Sequence, residues 1–452
     1  MKKLQNNKFF IFTVFIIYIS IILIVSYYHE AWEDESQGWL IARDLNFIEI
    51  INQMKYEGHS FLWHYLISIF AKSGLPYEFS KIIMIIIAGI TGFLILTKSQ
   101  YNKLVKILIL FSSVFLYYMP IFLRPYAIIP LTLIAISIMN EKPEKYPLWY
   151  GIVVAILANA HIIVLGFAFI IYFKFFMEQV IDKYQENSKK QNIKLIIGTA
   201  IAILGMILVT LCAISGFFNS IAPTHGTDVP QQVLERIIAL ALNLHSALIN
   251  ISIPNLIIII IDIIILILVV YQSIRVDKKQ GIIFFIGIIF YLFVQLLVFG
   301  IFANQRTVLL FIMLLYFSWN TKKKCLQSNK IDLIEIIIVI ICILGIPHTI
   351  GIISDEIKYP FTDSQNVAEY IKENIEEGSV FITINWDTIS SAEVYLSNMD
   401  YKFYDAQNDS YVTYAVWDKF LDKTKEMDLE NAINKFKDSD KKVYFLNLAS
   451  DT

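Results

Sequence analysis

Long apolar runs recur through the first 350 residues, at about 8–28, 79–97, 104–119, 122–139, 148–160, 161–178, 194–217, 252–273, 282–302, 305–319 and 331–350. A helix of about 20 apolar residues rises about 30 Å, the thickness of a bilayer's hydrocarbon core. The runs therefore predict an all-α polytopic membrane protein of about 11 transmembrane helices. Composition agrees: 57% of residues are hydrophobic and 17% charged, against about 45–50% and 25% in soluble domains. An ordinary soluble enzyme, a disordered chain and a disulfide-rich scaffold are excluded. Cys212 and Cys342 lie in apolar runs and Cys325 in a lysine-rich loop, with no metal-ligand spacing.

Two stretches need a decision. Residues 148–178 form one apolar stretch, too long for a single span and short for two. HSFLWHYLISIFAK (59–72) holds two histidines in a short segment and reads as an interfacial helix, not a crossing. The first run follows MKKLQNNK, and no small-residue cleavage site comes after it, so it is read as a retained span. Lysine- and arginine-rich loops stay in the cytoplasm. The clusters at Lys2/Lys3/Lys8, Lys98/Lys103/Lys106, Lys142/Lys145, Lys183 to Lys194, Arg275/Lys278/Lys279 and Lys322/Lys323/Lys324 then share one side if the chain crosses eleven times. This makes a multi-pass protein of the cytoplasmic membrane with its N-terminus cytoplasmic and its C-terminus extracytoplasmic. All seven histidines, with Asp34, Glu35, Arg124 and Arg306, fall on or near the outer face.

Residues 1–350 form the membrane module, and residues 351–452 differ in kind. The latter hold ten lysines against twenty carboxylates, a net of −10, which leaves +8 for the rest of a chain whose total is −2. The basic residues are dispersed, so neither part predicts nucleic-acid binding. DSQNVAEYIKENI (363–375) reads as a helix started by a capping Asp or Ser. SVFITIN (379–385), YKFYDA (401–406) and KKVYFLNLA (441–449) read as strands, with SAEVYLSN and DLENAINKF as helices between them. A small α/β extracytoplasmic domain is expected.

The first outer loop, YHEAWEDESQGWLIARDL (28–45), carries the most chemistry. Asp34 and Glu35 are adjacent, so on a helix they point about 100° apart and one alone faces a given ligand. A carboxylate just above a bilayer suits a general base acting on a hydroxyl; an acidic loop also suits plain solvation. His59 and Trp63 are four apart, on one face of a helix, and a histidine opening that helix would bond a phosphate. Arg124 and Arg306 stand alone at the ends of apolar runs, fit either to bind phosphate or to snorkel to headgroups. Asp262 lies mid-span, as in proton-coupled transporters, or protonated and bonded to a neighbouring helix.

These residues resemble the C-type glycosyltransferases, integral-membrane enzymes that take a sugar from a polyprenyl phosphate. HEAWEDESQGWLIARDL followed by EGHSFLWHYLISIFAKSGLP is similar to the pattern W-x-D-E-x-Q-x-W-L-I-A-R-D…E-G-H-P-P-L-W-Y of the bacterial protein O-mannosyltransferase and aminoarabinose-transferase branch. The likeness covers residues 29–78 strongly, the flanks of Arg124 moderately and the C-terminal tail in outline. It implies a hexosyltransferase with Asp34 as the base of an inverting transfer, Glu35 orienting the acceptor or assisting Asp34, His59 near the donor phosphate, and Arg124, Arg306 and His161 as further lipid-phosphate contacts. The partners implied are a polyprenyl-phosphate-sugar donor, a cell-envelope glycan, lipid or protein acceptor, and membrane lipids. Ser60-Phe61 replaces the family's Pro-Pro, and the loop around Pro120–Pro125 lacks the acid that metal-binding members often have there. The resemblance assigns no definite cofactor, and a divalent metal stays open, with His161 and His225 as available ligands. The rival reading is a secondary transporter or lipid flippase built on Asp262; no internal repeat supports it.

Overall fold

The computed structural model describes residues 2–182, 189–220, 233–297, 303–383, 386–406, 409–418, 429–437 and 440–446, and it is mostly helical. Six helices among the described residues are long and apolar enough to cross a bilayer: Lys8–Tyr28, Tyr77–Lys98, Ile162–Ile181, Gln191–Asn219, Asn255–Val276 and Lys278–Leu296. The pair Leu333–Leu344 and Ile346–Lys358, bent by 45°, passes the same test together and makes a seventh if it is one span. Along Asn255–Val276 the side chains of Ile257, Ile260, Ile263 and Ile267 are all exposed. So much unpartnered apolar surface fits lipid and not water.

The remaining apolar runs are broken, for reasons the backbone makes plain. Run 104–119 is helical only over Lys103–Leu110 and resumes as one wide turn at Val114–Tyr118. In run 122–139 Arg124 is extended ahead of Pro125, as the residue before a proline must usually be, and regular helix begins at Ile128. Stretch 148–178 resolves into Pro147–Ala160 and Leu165–Met177, interrupted where His161 adopts an extended conformation. Run 305–319 starts with a single turn, Asn304–Thr307, before Leu309–Gln327. Residues 59–72 hold the short helix Leu62–Ala71.

The chain divides into two compact units. The first comprises Met1–Val25, Met84–Ala213 and Pro223–Asp355. In it Lys278–Leu297 packs on Leu165–Met177, and Ile128–Met139 on Pro147–Ala160. Gly151 faces the backbone of Gly198 so closely that a Cβ would collide with it, the small-residue contact by which membrane helices approach. Tyr18 closes another contact by donating its hydroxyl to the Phe115 carbonyl at 3.0 Å.

The second unit comprises Ser26–Ile83, Ile214–Ala222 and Glu356–Thr452. Its sheet has four strands, β1 (Val380–Thr383), β2 (Lys402–Asp405), β3 (Ser410–Tyr411) and β4 (Val443–Phe445), in the order β3-β2-β1-β4. β1 is parallel to β2 and β4, with Phe381 opposite Phe403 and Tyr444. All four β1 residues are buried, as parallel strands covered on both faces are. Phe381 and Phe403 pack with Ala368, Ile371, Ile389 and Leu396, while Val380, Ile382 and Tyr404 pack with Ala432. Helix Ser364–Asn374 departs from expectation at its start. Asp363 sits at the cap position in a left-handed conformation and makes no capping bond. The Ser364 N–H donates instead to Glu30, at 3.0 Å.

Candidate functional site

Helix Glu33–Asp44 carries Glu33, Asp34 and Glu35 in its first turn, where the free N–H groups and the helix dipole favour negative charge. The two adjacent acids named by the sequence differ sharply. Asp34 is half-buried, whereas the Glu35 side chain is wholly buried. Glu35 accepts the Trp32 N–H at 2.9 Å, closing its own helix start, and meets His29 Nε2 at 3.1 Å.

Around that bond lies a network of ionisable groups. His29, also wholly buried, turns its Nδ1 to Glu356 at 2.7 Å. Lys81 donates to the carbonyls of Ser26, at 3.1 Å, and of His29. Burial alone would push the His29 imidazole down, but Glu35 and Glu356 together lift it above its ordinary 6.5. Glu30 accepts from the Thr362 hydroxyl at 3.1 Å, and the Ala31 N–H donates to the Tyr395 hydroxyl at 2.8 Å. Burial pushes that phenol well up.

Further along, Gln37 exchanges two bonds with the Ala415 backbone, at 2.7 and 2.8 Å, and donates to Glu57 at 3.0 Å. Trp39 donates its indole N–H to Ser80 at 2.9 Å. Arg43 binds Asp44 twice and reaches Glu393 at 3.2 Å. Glu393 is buried, and with Arg43 shared in this way burial wins, pushing its carboxyl up to about 8.

His59 does not open a helix. It follows Gly58, whose positive φ ends helix Phe47–Glu57, and it precedes the first residue of Leu62–Ala71 by three positions. His59 and Trp63 therefore do not share a helical face. Ser60, at one of the family's two proline positions, accepts the Leu62 N–H at 3.3 Å. The His59 ring stacks on His64, centroids 5.5 Å apart, and its Nε2 lies 4.0 Å from Glu57. Its side chain is about one-third exposed.

The basic candidates that the sequence singles out in the membrane module are Arg124, His161 and Arg306. His161 Nδ1 accepts the Ile163 N–H at 3.2 Å, so the ring proton sits on Nε2, which points to the Tyr126 hydroxyl at 3.4 Å. The Arg124 guanidinium lies 6.0 Å from the centre of the Tyr126 ring. Tyr291 donates to the Arg306 carbonyl at 3.1 Å and interacts electrostatically with both Arg306 and Tyr126. Two arginines and a histidine far apart in sequence thus gather around two tyrosines. Asp262 interacts electrostatically with His245 in the same unit.

Among the described residues, no three of His, Cys, Asp and Glu are arranged to hold a metal ion. His225 lies outside the described residues. No family model, curated protein or solved structure matches the chain. The resemblance to C-type glycosyltransferases therefore rests on the residues themselves. Sequence reading passed over Glu30, Lys81, Glu356, Glu393 and Tyr395. One signal was available: Lys81 sits within an apolar run, where a charge calls for a partner.

Proposed function

We propose that this protein is a glycosyltransferase that moves a sugar from a polyprenyl-phosphate donor to an acceptor hydroxyl at the outer face of the cytoplasmic membrane. In this reading the chain crosses the membrane eleven times, the broken apolar helices included. The observation that carries it is the division of labour in one helical turn. Glu35 is buried and committed to Trp32 and His29, while neighbouring Asp34 is half-buried about 100° around the helix. In this reading Glu35 builds the turn and Asp34 meets the ligand.

The reaction follows from that assignment. Asp34 takes the proton of the acceptor hydroxyl as its oxygen attacks the anomeric carbon from the face opposite the phosphate. A carbon–oxygen bond forms, the bond to the phosphate oxygen breaks with inversion, and polyprenyl phosphate leaves with the electron pair. That leaving group needs little protonation, so positive charge beside it lowers the barrier. The resemblance gives that role to Arg124 and Arg306. His59 is assigned to the donor side.

Asp34→Asn tests the base directly. Transfer should fall by at least about a hundredfold, the lower end of what general-base catalysis contributes, while thermal stability stays within about 2 °C of wild type. Undiminished transfer would remove Asp34 from the mechanism. The coupling of Asp262 to His245 favours the second reading, a proton-linked transporter or flippase, in which Asp262→Asn is the damaging change.

A further inference from the structure

The geometry points to His29 as a positioning residue: held as an imidazolium between Glu35 and Glu356, it fixes the turn that carries Asp34 only while it keeps its second proton. This inference rests on the transferase reading for the role of Asp34, but the latch itself does not.

Both ring nitrogens of His29 lie at hydrogen-bond distance from carboxylate oxygens, Nδ1 from Glu356 at 2.7 Å and Nε2 from Glu35 at 3.1 Å. An ionised carboxylate only accepts, and a neutral imidazole has a single N–H. A neutral ring would aim a lone pair at one of its two carboxylates. Protonation removes that conflict by giving each carboxylate an N–H donor.

Other titratable groups among the described residues also face this network. Glu30 faces Thr362 and Ser364, Glu78 acts electrostatically on Lys81, and Tyr77 on Glu35. The Phe361 ring lies against the imidazole, centroids 4.9 Å apart. Loss of the proton therefore takes one positive charge away from Glu35 and Glu356, whose side chains are buried.

The consequence reaches Asp34 through the backbone. The Glu35 oxygen bonded to His29 is the one that accepts the Trp32 N–H. Asp34 stands between Trp32 and Glu35, so whatever moves that oxygen moves the start of the helix. Because the folded protein holds the His29 proton more tightly than 6.5 implies, the latch is complete below that pH. It is lost as pH rises through the higher folded value.

The experiment uses full-length protein in proteoliposomes from about pH 5.5 to 9.5, the range across which a histidine switches. Hydrogen exchange of peptides covering residues 30–40 is corrected for its intrinsic pH dependence, and sugar transfer is measured in parallel. Wild type should lose at least tenfold in protection through one transition above pH 6.5, with kcat falling over the same interval. Glu356→Gln, which removes one carboxylate, should move that transition lower by about one unit, and His29→Gln should abolish it. A flat wild-type profile overturns the inference, as does a transition that persists in His29→Gln. Should His29→Gln not fold, a transition unmoved in Glu356→Gln overturns it alone. If the transition behaves as expected while no donor supports transfer, the latch stands and the transferase reading falls.

Discussion

Replacing Glu35 and Asp34 one at a time by alanine separates structure from chemistry, and the two costs follow from their surroundings. Glu35 is wholly buried and bonded to His29 and to the Trp32 N–H. Removing one partner of a buried ion pair costs about 3–5 kcal/mol, because the other charge is left behind. The lost helix cap adds about 1 kcal/mol. At about 2–4 °C per kcal/mol for a unit of this kind, Glu35→Ala should melt on the order of 10 °C or more below wild type. Asp34 is half-buried, and its charge near a helix start contributes about 0.3–1 kcal/mol, so Asp34→Ala should lose no more than about 4 °C. Intrinsic tryptophan fluorescence during a thermal ramp in detergent reads both, near pH 6, where the imidazolium is intact. A Glu35→Ala melt within about 2 °C of wild type, or an Asp34→Ala melt equally low, would refute the assignment of Glu35 to structure and Asp34 to the ligand.

Other expectations follow from the same geometry. Glu393 holds its proton up to about 8 because burial opposes its charge, so this group makes the protein less stable as pH rises from its unfolded value toward 8. Glu393→Gln should remove that slope and melt above wild type at alkaline pH, with the gap closing in acid; thermal melts across pH read it. Arg306→Ala should weaken binding of a polyprenyl phosphate by roughly 2 kcal/mol, about thirtyfold, in a titration with a fluorescent lipid analogue. Unchanged affinity would reassign Arg306 to structure. Asp262→Asn should leave sugar transfer within about twofold of wild type, and loss of transfer or of proton-linked lipid movement would favour the rival reading.

How much was legible depends on how local each signal is. The isoleucine-rich run at 252–273 emerges as Asn255–Val276 with little change, since hydropathy alone specifies it. The break at Arg124–Pro125 follows from proline's demand on its neighbour, but nothing in AILANAHIIV announces the extended His161 that divides residues 148–178. Helix Val233–Leu248 also went unforeseen, because Glu235, Arg236 and His245 interrupt its apolar pattern. The three longer strands of the C-terminal sheet were legible as short apolar segments between helical ones; two-residue β3 was too short to register. At the site, Asp34 stood out by motif. His29 and Glu356 are 327 positions apart, and a pairing that distant leaves no periodicity to read. The same holds for the cap that Glu30 gives to Ser364, which the local Asp363 seemed to supply.

The central claim is that this chain breaks a sugar–phosphate bond of a polyprenyl donor using Asp34. Its most direct test offers purified protein in proteoliposomes a panel of polyprenyl-phosphate hexoses with cell-envelope acceptors, and follows free polyprenyl phosphate and transferred sugar together by mass spectrometry. The account predicts that one donor releases its lipid phosphate in step with sugar transferred, and that Asp34→Asn, folded and donor-bound, releases none. Release that is equal in the mutant, or absent for every donor with folded wild-type protein, would contradict it.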